Sequence, residues 1–128
     1  MKGEFCFRKA ERLCSKKRIE ELFAGDSRSF SAYPLRVVYR NTESDQPLQL
    51  LISVSKRRFR HAVDRNRTKR LIREAYRQNK NILLPTLTMQ GRHIDLAFIW
   101  ISDQLSDFST VEAKVKNLLQ RIVENLGD

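Results

Sequence analysis

The chain has 128 residues, of which 41% are hydrophobic, and carries 25 Lys plus Arg against 15 Asp plus Glu, a formal charge of +10. That length suits one domain able to bury roughly two-thirds of its unfolded surface. The longest apolar run, Leu96 to Ile101, falls far short of the ~20 residues of a membrane span, and Glu4, Arg8, Lys9 and Glu11 stand where a signal peptide would be apolar, so a cytoplasmic protein with no membrane association is expected. Cys6 and Cys14, with only two His in the chain, offer neither a zinc set nor a disulfide framework.

In chain order, residues 1–12 read as a flexible N-terminal segment. Ser15 then caps a short helix in which Ile19, Leu22 and Phe23 recur at i, i+3 and i+4, with Gly25 as its stop. Beyond a turn-like stretch from Gly25 to Ser29, Leu35, Val37 and Tyr39 alternate with Arg36, Val38 and Arg40, the pattern of a strand with one buried face. Asn41 to Pro47 reads as a hairpin loop, and Leu48, Leu50, Ile52 and Val54 as a second strand, antiparallel to the first and running to about Ser55.

The next element carries most of the charge. From Lys56 to Lys80 there are eleven basic residues against Asp64 and Glu74, a net of +9, leaving the remainder of the chain close to neutral. Over a helix placed at Ala62 to Lys80, Asn66, Arg70, Arg73 and Arg77 stack on one face with Arg67 and Lys69 beside them, whereas Thr68, Leu71, Ile72, Ala75 and Tyr76 share the other. Like charges four apart on a helix repel by a few tenths of a kcal/mol, so the stripe calls for a polyanion to neutralise it. Arginine outnumbers lysine eight to three in this segment, and its planar fork suits phosphate and base recognition. Arg65 falls toward the apolar side of the wheel, where it can buttress the preceding loop.

Pro85 closes that region. Ile94 to Ile101 is apolar on both parities, as a central strand covered on both faces would be. A last helix opens with the capping box Ser109-Thr-Val-Glu112 and places Val111, Val115, Leu118, Leu119, Ile122 and Leu126 on one face. The elements describe an α+β fold, an α/β sandwich of three helices on a sheet of about four strands in the order α-β-β-(β)-α-β-α.

Ser53-Val-Ser-Lys56, followed by Arg65-Asn-Arg67 with Lys69, Arg70 and Arg73, resembles the signature of the protein subunit of bacterial ribonuclease P, and the Arg12-Leu13 pair and the element order extend the likeness along nearly the whole chain. The resemblance implies a left-handed βαβ crossover, against the general right-handed rule. It also implies a protein that is not itself a catalyst: a large RNA holds the magnesium ions and removes the 5′ leader from precursor tRNA, while the protein binds that RNA and the leader. No tightly bound cofactor and no obligate protein partner are expected of the protein.

Two surfaces follow from the resemblance. Arg65, Asn66, Arg67, Lys69, Arg70 and Arg73 are expected to contact the catalytic RNA. Arg77 extends their stripe, and Arg57, Arg58 and Arg60 add phosphate contacts from a basic loop in which many relatives carry a glycine and in which Phe59 tucks against the sheet. A leader cleft is expected between the first helix and the open sheet face, from Ile19, Phe23, Arg36, Val38, Arg40, Ser53, Ser55 and Lys56. Single strands are held by such combinations of cationic and base-stacking side chains; relatives often have an aromatic pair in this helix where Ile19 and Phe23 stand. His61, His93, Glu20 with Glu21, and Asp64 with Glu74 form no convergent catalytic set. A ribosomal or other structured-RNA-binding protein is the alternative, while a DNA reader would normally present a helix-turn-helix.

Overall fold

The computed structural model describes residues 11–25, 27–42 and 46–126. The first ten residues of the N-terminal segment, Cys6 among them, lie outside these. Its last two are held: Arg12 bridges to Leu50 and Glu11 pairs with Lys80.

Among the described residues, four α-helices and four strands follow in the order α1 (Lys16–Leu22), β1 (Arg28–Ala32), β2 (Leu35–Asn41), β3 (Leu48–Ser53), α2 (Ala62–Asn79), α3 (Leu84–Gln90), β4 (Ile94–Trp100) and α4 (Phe108–Leu126), with a 3₁₀ turn at Lys80–Ile82. The expected three helices are therefore four. The missed helix, α3, carries Pro85 in its first turn, where a proline starts a helix as readily as it ends one, because the N–H it lacks would have no intrahelical partner. Leu83 and Leu87 fix the segment in the core, and Gly91, at φ 64°, supplies the left-handed residue that ends it.

The sheet is mixed, in the order β1-β2-β4-β3. β2 is antiparallel to both β1 and β4, and β3 is parallel to β4. The expected hairpin between β2 and β3 does not form. β4 lies between them, and the reason is burial: every residue of β4 except Ile99 is buried, so it takes the middle of the sheet. β1, the strand that the expected count of about four included without locating, lies at the edge, half-polar and short, steadied by Phe30 stacking on Tyr39 and by the Arg121 guanidinium 4.8 Å over the Phe30 ring.

Three layers result. On one face of the sheet, Leu35, Val37 and Tyr39 of β2, Leu48 and Leu50 of β3, and Leu96 and Phe98 of β4 meet Ile72, Ala75 and Tyr76 of α2 and the expected apolar face of α4. Each buried Leu, Val, Ile or Phe among them contributes about 1.5 to 3 kcal/mol relative to exposure. Phe59 joins this core, as expected, whereas Leu71 is only half-buried at its margin. α4 begins one residue ahead of Ser109, and its cap is Asp107, whose carboxylate accepts from the Thr110 N–H at 2.9 Å. That hydrogen bond holds the Asp107 carboxyl below its usual range.

Among the described residues, the other face carries α1 and the segment that leads into it. Ser15 caps it as expected, accepting from the Arg18 N–H at 3.4 Å. Leu13 and Leu22 pack on Val38 and Ala97, with Ile19 against the cluster. Arg18 locks the helix to the sheet: its Nε donates to buried Asp95 at 2.9 Å, and its Nη2 donates to the same carboxylate and to Gln49 at 2.5 Å. A buried carboxylate requires such pairing, since leaving it unpaired would cost several kcal/mol.

Candidate nucleic-acid interface

The cationic surface begins with α2. Its apolar positions Thr68, Ile72, Ala75 and Tyr76 are buried, which forces the opposite side into solvent. Asn66, Arg67, Arg70 and Arg73 are exposed and Lys69 is half-exposed along that side.

Within the same basic segment the structure divides the cations by what they touch. Lys80 is internal, its Nζ donating to both oxygens of Glu11 at 3.0 and 2.8 Å. Arg65 turns back, as the wheel suggested, and donates to the carbonyls of Phe59 at 2.9 Å and Arg60 at 3.0 Å, so it clamps the loop onto the start of α2. Arg58 pairs with Asp103 at 3.3 Å, and Arg77 pairs with Glu74 one turn back. Hydrogen bonds from Arg77 and Gln78 hold the Glu74 carboxyl below its usual range. Eight of the eleven have no acidic partner among the described residues; Arg65 is engaged by its two carbonyls, and the other seven are Lys56, Arg57, Arg60, Arg67, Lys69, Arg70 and Arg73. Among the described residues no carboxylate opposes the charge of these seven.

The register defines the second surface. On the α1 side of the sheet, side chains lie in three rows: Arg40, Asp95 and Gln49; Val38, Ala97 and Leu51; Arg36, Ile99 and Ser53. α1 covers the first two. Arg18 sits on Asp95 and Gln49, Glu21 accepts from Arg40 at 3.0 Å, and Leu13 and Leu22 cover Val38 and Ala97. Val38, expected in the cleft, is therefore buried beneath α1. Its parity was read correctly, but α1 needs an apolar seat on the sheet and Val38 supplies part of it. Ile19 likewise packs, while Phe23, at 48% exposed, stands free at the helix end.

What remains open is the third row. Arg36 is exposed, and Ile99 and Ser53 are half-exposed; Ser55 and Lys56 continue from it into the basic loop. Since β3 leads through that loop into α2, the open row and the start of the arginine ridge share one end of the sheet. A small cleft of about 220 Å³ also joins β3 to α2, with Arg12, Leu51, Lys69 and Arg73 on its walls. Sequence reasoning missed Ile99 and Leu51 as floor residues, because β4 is apolar on both parities and α1's footprint cannot be read from the strands. Arg12 was seen only as part of a motif.

Among the described residues no three His, Cys, Asp or Glu side chains gather in a way that could hold a metal ion, and no helix is long and apolar enough to cross a membrane. His61 precedes α2 and is exposed, and His93 Nδ1 lies 3.0 Å from the Gln46 carbonyl.

Comparison with known proteins agrees with this geometry. Residues 7–123 match the family model described as Ribonuclease P. A ribonuclease P protein component of Porphyromonas gingivalis is 44% identical over 124 residues, covering 95% of this chain and 90% of the relative. One from Chlorobium phaeobacteroides is 35% identical, covering 90% and 86%. The solved RNase P protein of Thermotoga maritima superposes with a TM-score of 0.69 at 28% identity, over 87% of this chain and 96% of that one. The Staphylococcus aureus RNase P protein shares the fold, with a TM-score of 0.71 at 22% identity over 89% and 96%. With the family model spanning nearly the whole length and relatives this similar end to end, the chain belongs to the ribonuclease P protein component family.

Proposed function

We propose that this chain serves ribonuclease P as a binding subunit, holding the catalytic RNA on the α2 ridge and the 5′ leader of precursor tRNA along the open row of the sheet. The observation that carries the proposal is the set of seven cations without acidic partners, contiguous at one end of the sheet with the open row. Phosphates neutralise the ridge with release of counterions. Asn66, among donors that cannot accept, can also receive a hydrogen bond from a base or a ribose hydroxyl.

On the leader side, Phe23 offers an exposed ring for stacking, Arg36 a phosphate contact, and Ser53 and Ser55 hydroxyls for the sugar or base edges. Arg40 reaches the same strand from beside Glu21. Arg57 and Arg60 extend the cationic surface between the two RNAs, with Arg65 holding their loop in place rather than touching RNA. The RNA subunit supplies the magnesium-dependent hydrolysis that separates leader from tRNA. The protein raises the effective concentration of substrate at that centre by holding both polyanions in one orientation.

Reconstitution tests this directly. Purified protein with magnesium and precursor tRNA should leave the substrate intact; addition of ribonuclease P RNA should give cleavage at the mature 5′ end, with tighter substrate binding than the RNA shows alone. Cleavage by the protein unaided, or RNA activity that ignores the protein at all magnesium and salt concentrations, would refute the proposal.

A further inference from the structure

A third basic feature lies away from the ridge. At the end of the sheet where β2 finishes and β4 begins, a pocket of about 360 Å³ is lined by Arg28, Arg40 and Arg92, together with Tyr39 and Asn125. The register puts it at the opposite end of the strands from the open row: Asn41 faces Ile94 at the start of β4, whereas Ser53 faces Ile99 near its finish.

Three guanidinium groups meet here, and the only carboxylate paired with any of them among the described residues is Glu21, on Arg40. Arg28 and Arg92 have no acidic partner there. The C-terminal end of α4, at Asn125 and Leu126, presents about half a negative charge to the pocket, too little to offset two full cations. Arg28 and Arg92 both act on the Tyr39 hydroxyl, opposing the upward push that burial gives it. That hydroxyl donates to Asn125 Oδ1, which leaves the Asn125 amide N–H groups as donors. Donors from two arginines and an amide thus line a concave space in which, among the described residues, no carboxylate faces Arg28 or Arg92.

We propose that this pocket binds a phosphate group, as a phosphodiester of RNA or as free phosphate, with Arg28 and Arg92 as its principal ligands and Asn125 as a neutral donor. Charge-assisted contacts of this kind are what an arginine pair offers a tetrahedral oxyanion.

Tyr39 is the reporter, since the chain has only Tyr33, Tyr39 and Tyr76. With ¹³C-labelled tyrosine and resonances assigned through Tyr39→Phe, the Tyr39 signal of the full chain is followed while inorganic phosphate replaces chloride at constant ionic strength. The signal should move saturably. In Arg28→Gln/Arg92→Gln the dissociation constant should rise at least about tenfold, the scale of losing charge-assisted hydrogen bonds, while Arg70→Gln/Arg73→Gln should leave it unchanged. The buried Tyr76 signal reports that each variant is folded; if the double variant is not, the single substitutions are titrated instead, each expected to weaken binding.

A single-stranded RNA decamer forms the second arm. Movement of Tyr39 at lower RNA than phosphate concentration identifies a phosphodiester as the ligand, and movement with phosphate alone identifies the free ion. A Tyr39 signal that stays still with both ligands, or moves equally in wild type and in the Arg28 and Arg92 variants, overturns the proposal. Neither arm involves ribonuclease P RNA, so its failure leaves the proposed RNA surfaces untouched.

Discussion

Salt dependence distinguishes the free cations of the basic segment from those already engaged. If the seven without acidic partners each contact a phosphate, the logarithm of affinity for ribonuclease P RNA should fall against the logarithm of salt with a slope of about −5 to −6, taking roughly 0.7 to 0.9 per phosphate. Between about 50 and 200 mM salt that is a loss of roughly 10³-fold or somewhat more. Arg70→Ala/Arg73→Ala removes two of the seven and should reduce the slope by roughly 1.4 to 1.8, with thermal stability unchanged because both side chains are exposed. Arg58→Ala and Arg77→Ala provide the internal comparison. Asp103 and Glu74 already neutralise these two, so each should change the slope less than either ridge arginine. Fluorescence anisotropy of labelled RNA across a salt series measures all of these quantities. A flat wild-type response, or an equal effect from paired and unpaired arginines, would refute the reasoning.

Ile72→Ala, at a fully buried position, should cost about 2 to 5 kcal/mol in denaturant unfolding, and the half-buried Leu71→Ala distinctly less; the reverse order would contradict the observed rotation of α2. Phe23→Ala should weaken binding of precursor tRNA by about 1 to 3 kcal/mol if a leader base stacks there, with no loss for tRNA lacking a leader, while Val38→Ala should act on stability and leave the leader preference intact. Acid should destabilise the fold partly through Glu74 and Asp107. Both carboxyls titrate lower folded than unfolded, so their contribution is complete above the unfolded carboxylate range and disappears as pH falls through the folded values. Glu74→Gln and Asp107→Asn should each flatten the decline in melting temperature below about pH 4.5, near the unfolded glutamate value, and an unchanged acid limb in both would count against these hydrogen bonds.

Much of the site was legible because it depends on local periodicity. The two faces of α2, the six apolar positions of α4, the Ser15 cap and the inward Leu35, Val37 and Tyr39 all follow from spacings within one element, where backbone geometry alone decides which side chains share a side. The wheel angle of Arg65 turns it toward the loop, in agreement with its bonds to the Phe59 and Arg60 carbonyls. Helix α3 escaped notice, and the third strand of the expected order was counted without being given residues, because α3 and β1 are short and weakly patterned and owe their conformation to neighbours already in place.

What the residues determined by themselves was the set of amphipathic faces and the charge of the basic segment, since both are properties of contiguous chain. Tertiary structure decided which strands are neighbours, which sheet rows α1 covers and which cations are already paired. Those outcomes depend on groups far apart in sequence, as with Asp103 neutralising Arg58, Glu11 neutralising Lys80, and β4 displacing the hairpin between β2 and β3. Burial drives each of them, because apolar surface on both sides of a strand, or a charge without solvent, is stable only where the folded chain supplies its cover or its counterion.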